Sequence, residues 1–301
     1  MSSSPPTVEA IIVSFNTRDL LANCLRSIDA HRPGADVAEL RVTVVDNGST
    51  DGSADMVSDA FPHVSLINVG RNLGFARANN LAIGRSTSDY VLLLNSDTVL
   101  IQDVVGPLLR VLDGDERVAI VGPRLIYPDG EIQTSSETFP TLSFELARVL
   151  RQSKLSRLLR PVVDLEAVLS AARGPSFGTA DGPRPAEFLW ATCWLMRRHD
   201  AVALGLFDET YVTYDEDLDV CRRLRNAGRG VALVPDVRLT HVGGRSSTPA
   251  GKLRMMRRGR ARYYRKHHGA LASGMYRVGI GTLERARLAR RDRRASFTPD
   301  R

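Results

Sequence analysis

The sequence predicts an α/β protein: a mixed, mainly parallel sheet flanked by helices on both faces, with a basic, mostly helical C-terminal extension. Three observations carry this. Near-continuous apolar runs of strand length recur through the first 125 residues, segments of helical period separate them, and polar residues close each run. A strand buried on both faces needs no polar alternation, and a helical crossover is the usual link between parallel neighbours.

Taken in order, Val8-Glu-Ala-Ile-Ile-Val-Ser-Phe reads as the first buried strand. Asp19 to Ala30 follows at helical spacing, with Leu20, Leu21, Cys24, Leu25 and Ile28 apolar. Leu40-Arg-Val-Thr-Val-Val is a second strand, ended by Asp46-Asn-Gly-Ser-Thr-Asp-Gly. Val64 to Val69 is a third, Ala76 to Arg85 a helix, and Tyr90 to Leu94 a fourth strand. From about 139 to 187 the pattern loosens. Leu142 to Leu159 reads as helical, but Arg148, Arg151, Lys154, Arg157 and Arg160 recur every third position. That row winds around a helix of 3.6 residues per turn instead of forming one face. Gly174 to Pro185 is rich in glycine and proline and reads as a loop. Regular structure returns over Glu187 to Met196, and Val231 to Thr240 is a further strand ending at His241.

Composition narrows the class. A chain of 301 residues that is 43% hydrophobic can bury one large core or two packed halves. Cys24, Cys193 and Cys221 are far apart and form no CxxC pair. This argues against a disulfide framework and a structural zinc site, and points to a reducing compartment. The polar start, Met1-Ser-Ser-Ser-Pro-Pro-Thr, has no signal-peptide character, and the longest apolar runs are strand-length. A cytoplasmic protein, at most peripheral at the inner face of the cell membrane, is expected. The net charge of +7 is unevenly shared: residues 251–301 hold 16 Lys/Arg against 3 Asp/Glu, a net of +13, and the rest carries −6. A basic tail on an acidic body points to an anionic partner such as a membrane surface, or to a solvated helix. Nucleic acid would leave the acidic residues described next without a role.

In parallel sheets, ligands sit beyond the carboxyl ends of the strands, so the strand-ending loops are the places to search. Ser14 and Asn16 follow the first strand. Asp46, after the second, can accept the imide N–H of uracil or thymine, and Gly48 and Gly52 allow turns that a Cβ would obstruct. Asn72-Leu-Gly74-Phe-Ala-Arg77-Ala-Asn79-Asn80 is a glycine-containing loop entering a helix, suited to a phosphate or ribose. Leu94 leads into Asn95, Ser96 and Asp97, whose amide and carboxylate oxygens suit a hard cation. His241, followed by Gly243 and Gly244, is either structural or a further ligand. Each loop alone also reads as an ordinary strand–turn–helix junction.

The sharpest local feature is four carboxylates in five positions, Asp215, Glu216, Asp217 and Asp219. Their mutual repulsion gives folding nothing, so a metal, a proton transfer or the arginines downstream must use them. In a helix Asp219 would pair with Arg222 or Arg223, Asp215 would sit at the positive end of the dipole, and Gly228 would end the helix. That leaves Glu216 and Asp217.

The order of these motifs is more specific than any one of them. Asp46, the Asn72–Asn80 loop, Asn95-Ser-Asp97, Asp215-Glu-Asp-Leu-Asp219 and His241 resemble the motif series of glycosyltransferase family 2 from about Val8 to Ser247. Phe207-Asp208-Glu209, Tyr214 to Asp219 and Arg222/Arg223 resemble its rhamnosyltransferase branch. The resemblance implies a GT-A (Rossmann-like) fold, inversion at the anomeric carbon, a dTDP- or UDP-sugar donor, Mg²⁺ or Mn²⁺, and a glycan or lipid-linked acceptor. By motif position it implies that Asp46 holds the base, that Asp97 and His241 hold the metal-diphosphate, and that Asp217 is the catalytic base. Glu216 would raise the pKa of Asp217 or orient the acceptor. Trp190, Trp194 and Tyr214 are acceptor-binding candidates. Two departures stand out: Asn95 replaces the first Asp of Asp-x-Asp, and Trp190-Ala-Thr-Cys-Trp194 replaces a glycine-containing segment. The chain then divides into a disordered stretch 1–7, a nucleotide-sugar-binding half 8–125, an acceptor and catalytic half 126–247 and the tail 248–301. A homodimer is compatible with all of this. A nucleotidyltransferase would instead carry a Gly-rich basic loop after the first strand, which Ser14-Phe-Asn-Thr is not, and a catalytically silent sugar-nucleotide-binding module is the remaining alternative.

Overall fold

The computed structural model describes residues 4–151, 182–211, 213–243 and 249–280. Its centre is a nine-stranded sheet. Strands β1 (Thr7–Ser14), β2 (Glu39–Asp46), β3 (Ser65–Asn68) and β4 (Tyr90–Asn95) run parallel in the order β3-β2-β1-β4. The sheet continues through β10 (Cys193–Arg197), β6 (Val118–Ile126), β11 (Gly230–His241) and β5 (Thr98–Leu100), and β8 (Arg184–Ala186) adds to β11. β10 is antiparallel to both β4 and β6, so the sheet is mixed at its centre.

The four parallel strands form where the apolar runs predict them. Alternate residues serve opposite faces: Ile12, Leu92 and Leu94 pack under α1 (Arg18–Ala30), α2 (Ser53–Ala60) and α4 (Val105–Gly114), whereas Ile11, Val91 and Leu93 pack under α3 (Phe75–Arg85) and α7 (Glu216–Asn226). Because both sets are apolar, the sequence shows no alternation. The sequence reading leaves α2, α4, β5 and β6 unassigned.

Two readings are corrected. Arg184 and Pro185, expected in a loop, form a strand with Ala186 that pairs antiparallel with Val231–Leu233, because a strand edge there offers its unpaired backbone groups. The stretch Glu187 to Met196 is not one element. Phe188–Leu189 (β9) pairs with Ser136–Glu137 (β7), a turn intervenes at Ala191-Thr192, and β10 then joins the main sheet. Leu142–Arg151 forms α5 as expected, and the remainder of that predicted helix lies outside the described residues. A short helix α6 (Arg198–Ala203) follows β10.

Within the basic tail Pro249–Met275 forms α8, broken at Gly269, whose φ of 89° and ψ of 174° are not helical, and residues 281–301 of the predicted helical tail lie outside the described residues. A straight helix would hold residues twelve apart at about 18 Å. Here the rings of Tyr264 and Tyr276 lie 5.3 Å apart and Ser273 Oγ donates to Ala261 O. The chain therefore folds back at Gly269. Tyr263 and Tyr264 are fully buried, Tyr263 in the same core as Trp194 and Leu218.

Candidate functional site

The carboxyl ends of the parallel strands form one polar row. Ser14 is in register with Asp46, Asp46 with Asn68, and Val13 with Asn95. Adjacent strands lie about 4.8 Å apart, so the row is only a few residues wide. Asp46 is buried there. Its Oδ1 accepts from the N–H groups of Gly48 and Ser49 at 3.2 and 3.0 Å, while its buried Oδ2 has no partner among the described residues. A buried acceptor without a donor is costly, and a base N–H would supply one. Gly48 has φ +82°, and a Cβ on it would lie 2.6 Å from Arg71 Cα, so the loop after β2 must pass close to the loop after β3.

Asn47, which the sequence reading passed over, makes that junction. Its Oδ1 accepts from Leu73 N–H at 2.8 Å and its Nδ2 donates to Asn72 Oδ1 at 3.2 Å. Asn72 Oδ1 also accepts from Gly74 N–H at 2.8 Å. The signal was present in the Asp46-Asn47-Gly48 triplet, where two short polar side chains flank a turn. Asn16, itself at φ 53°, accepts from Thr50 N–H at 2.8 Å and donates its N–H to Ser49 Oγ. Ser14, Thr17 and Ser96 form a hydroxyl chain with spacings of 2.9 Å. Ser14, Asn16, Asp46, Asn72, Gly74, Asn95 and Ser96 thus share one edge of the sheet.

Two residues of the expected donor set lie differently. Asn79 is buried within α3 and donates to Phe75 O at 2.9 Å, so its amide faces its own helix and not the row. Arg77 is half-exposed on α3 and pairs with Glu209 at 3.1 Å.

Asp97 and His241 come together because β11 pairs with β5, His241 opposite Thr98. A register irregularity between Val234 and Arg238 redirects the end of β11, and Val242 N–H donates to Asp97 O. Asp97 Oδ1 lies 3.4 Å from His241 Nε2, both side chains largely covered. His241 Nδ1 lies 2.6 Å from Gln133 Oε1. An amide oxygen only accepts, so Nδ1–H donates to it and Nε2 is the ring nitrogen that faces Asp97. An imidazole nitrogen beside a carboxylate oxygen is a combination that a divalent cation binds, so the pair fits a metal as a partial site. Among the described residues no third His, Cys, Asp or Glu joins them, so other ligands would have to come from a bound diphosphate or water.

The carboxylate cluster opens α7. Asp217 Oδ2 accepts from Ala191 N–H at 3.3 Å, and Asn95 N–H donates to Thr192 O at 3.0 Å, so the turn before β10 connects Asp217 to the end of β4. Burial, reinforced by the charge of Asp215, pushes the Asp217 pKa up to about 7, against the pull of the Leu218 and Ala191 amides. Burial and the charge of Asp217 raise Glu216 well above the ordinary range, and its Oε2 has no partner among the described residues.

The other two carboxylates are spoken for by α8. Asp215 accepts from Arg260, and fully buried Asp219 accepts from His267 and Lys266 at 2.8 and 2.9 Å and from Arg223 at 2.8 Å. The expected pairing of Asp219 with Arg223 is present; Arg222 instead lies over the Phe139 ring. Asp215 stands at the helix start without a side-chain cap bond.

Of the acceptor candidates, Trp190 is half-buried beside Ala191 with its indole nitrogen unpartnered among the described residues, and Tyr214 directly precedes the cluster. Trp194 is corrected: it is fully buried, stacked on Phe207 at 6.1 Å, and belongs to the core. In β10 its side chain necessarily points to the sheet face opposite Cys193 and Leu195.

Residues 9–201 match the family described as "Glycosyl transferase family 2". An N-acetylglucosaminyl-diphospho-decaprenol L-rhamnosyltransferase of Mycobacterium tuberculosis is 28% identical over 211 residues, 66% of this chain and 66% of its own length. An N-acetylglucosaminyltransferase of Rhizobium meliloti is 39% identical over 123 residues, 39% of this chain and 28% of its own. The chain thus spans about two thirds of the first relative and about a quarter of the second. Among solved structures, GalNAc-T7 with UDP, GalNAc and Mn²⁺ aligns at a TM-score of 0.61 and 13% identity over 96% of this chain and 55% of that one. The mannosyltransferase PcManGT from Pyrobaculum calidifontis with GDP-Man and Mn²⁺ aligns at 0.58 and 16% over 99% and 78%. These likenesses identify the fold as GT-A type.

Proposed function

From the premise that the chain belongs to glycosyl transferase family 2, we propose that it is an inverting, metal-dependent transferase. On this reading it moves a sugar, L-rhamnose from dTDP-rhamnose, to a hydroxyl of a glycan or polyprenyl-diphosphate-linked acceptor in cell-envelope polysaccharide synthesis. The observation that carries it is a single sheet edge with three separate chemistries: an unpartnered acceptor at Asp46, an electron-rich pair at Asp97 and His241, and a carboxyl of raised pKa at Asp217. The rhamnose assignment is supported by the likeness to the mycobacterial L-rhamnosyltransferase and by the resemblance of Phe207-Asp208-Glu209 and Tyr214 to Asp219 to that branch.

Asp46 Oδ2 would accept the imide N–H of the pyrimidine. Asp217 would take the proton of the acceptor hydroxyl as its oxygen attacks the anomeric carbon, opposite the departing nucleoside diphosphate. A divalent cation, held by Asp97 and His241, would supply the positive charge that offsets the diphosphate. No second carboxyl acid is needed, because the leaving group is already stable as an anion. Exposed arginines Arg254, Arg258 and Arg265 on α8, with exposed Leu271, Met275 and Val278 beyond its break, support docking at an anionic membrane surface.

The test is a donor panel of dTDP-rhamnose, UDP-galactofuranose and UDP-N-acetylglucosamine, with and without Mn²⁺. Turnover of dTDP-rhamnose that needs Mn²⁺ is expected. Preference for a UDP-sugar would favour the reading that the N-acetylglucosaminyltransferase relatives support, and metal-independent turnover would remove the role given to Asp97. Because base catalysis needs the carboxylate, kcat/KM should rise with pH through about 7. Asp217→Asn should cost on the order of 10²- to 10⁴-fold.

A further inference from the structure

The tail helix meets the site at one buried cation. Arg260 on α8 donates from Nε and Nη2 to Asp215 Oδ1 at 3.2 and 3.0 Å, and from Nη1 to Glu145 on α5. It thereby ties α5 and α8 to the residue just before the catalytic pair. Tyr214 and Asp215 both have left-handed backbones, with φ of 75° and 67°. Such positions are unfavourable for non-glycine residues and persist only where the surroundings enforce them.

The enforcement is visible. The α8 backbone lies directly on this turn at Gly259, where a Cβ would be 2.4 Å from Tyr214 O and 3.0 Å from Asp215 Oδ2. Further along α8, Lys266 and His267 hold Asp219. The same helix therefore grips the first turn of α7 two residues before Asp217 and two residues after it. A tail that merely covered the domain would not need a glycine and three polar contacts, from Arg260, Lys266 and His267, on that one turn.

We propose that α8 is a working part of the catalytic site, and that Arg260 is a positioning residue whose bridge from Glu145 to Asp215 holds the left-handed turn that aims Glu216 and Asp217. The inference rests on the reading of Asp217 as the base. Arg260 touches no reacting atom; it acts through the backbone it fixes. Gly259 is the second half of the same device, because it lets α8 approach closely enough for the bridge to form.

Four full-length variants test this: Arg260→Gln, Arg260→Lys, Gly259→Ala and Asp217→Asn. Donor affinity is measured by calorimetry, kcat is expressed per folded molecule, and KM for the acceptor is measured alongside. Arg260→Gln and Gly259→Ala should lower kcat on the order of 10- to 100-fold, the scale of an ångström-level misplacement, with donor affinity within about twofold of wild type. Arg260→Lys should recover part of the loss, since it keeps the charge without the fork. Alanine favours a helix over glycine, so a loss in Gly259→Ala reports the collision and not a weaker helix. If Arg260→Gln does not fold, Gly259→Ala decides. Wild-type kcat per folded molecule in both Arg260→Gln and Gly259→Ala, even with a lowered melting temperature, would overturn the proposal while leaving the base intact. Full activity in Asp217→Asn would overturn the base reading, and the positioning role with it.

Discussion

Glu216 and Asp217 are adjacent and buried, yet their surroundings give them different tasks. Asp217 accepts two backbone N–H bonds, from Ala191 and Leu218, which keep its carboxylate accessible near neutral pH. Glu216 has an oxygen with no partner among the described residues and pays the full cost of desolvation. Its folded pKa lies above the unfolded value, so its stabilising contribution is complete below pH 4 and is lost as pH rises through the folded value. Glu216→Gln should therefore melt above wild type at pH 8, with the gap closing towards pH 5. For a chain of 301 residues each kcal/mol corresponds to roughly 1.5–2 °C. Identical melting curves across that range would show that Glu216 has a compensating partner. The sequence set Glu216 and Asp217 apart from Asp215 and Asp219, but the different surroundings of the two were not legible in it, because the groups around them come from the turn before β10 and from α8.

Among the elements, β10 best shows how tertiary context assigns function. As a local pattern, Phe188 to Met196 is an apolar stretch interrupted only by Thr192. The structure breaks it at Ala191-Thr192 so that one short strand pairs with β7 and the next enters the main sheet between β4 and β6. That break puts two backbone groups at the site and turns Trp194 into the core, where it stacks on Phe207. Trp194→Ala should destabilise the fold by about 3–5 kcal/mol, as for other large-to-small core changes. Denaturant unfolding measures this, and donor affinity of the folded fraction should stay close to wild type. A selective loss of acceptor KM with unchanged stability would instead restore Trp194 to the acceptor site. The parallel strands needed no such context. Their runs are apolar throughout because both faces are covered, and sequence alone located all four.

At the scale of the whole molecule, the basic tail divides between two uses. Its inward side is consumed by Asp215, Asp208 and Asp219, which take up Arg260, Lys266 and His267. Removing the tail would therefore take Tyr263 out of the core it shares with Trp194 and Leu218 and unpair buried carboxylates, so truncation cannot isolate its outer side. Replacement of exposed Arg254, Arg258 and Arg265 by Gln can. Each arginine near an anionic surface contributes about 1 kcal/mol, so the triple variant should bind phosphatidylglycerol-containing vesicles on the order of 100-fold more weakly at low salt while keeping donor turnover in solution. Equal binding would assign the outer arginines to simple solvation. Among the described residues no helix is long and apolar enough to cross a membrane.

The sequence by itself determined the α/β architecture, the strand ends where ligands gather, and the succession of motifs that marks the family. These are local properties, set by apolar periodicity and by turn chemistry within a few residues. The tertiary structure alone decided how closely Asp97 approaches His241, that one oxygen of Asp46 has no partner among the described residues, and that Arg260, Lys266 and His267 of the tail are what take up Asp215 and Asp219. The physical reason is the same in each case. The fate of a buried charge depends on which donors reach it, and here some of those donors come from segments 40 to 140 residues away in the chain.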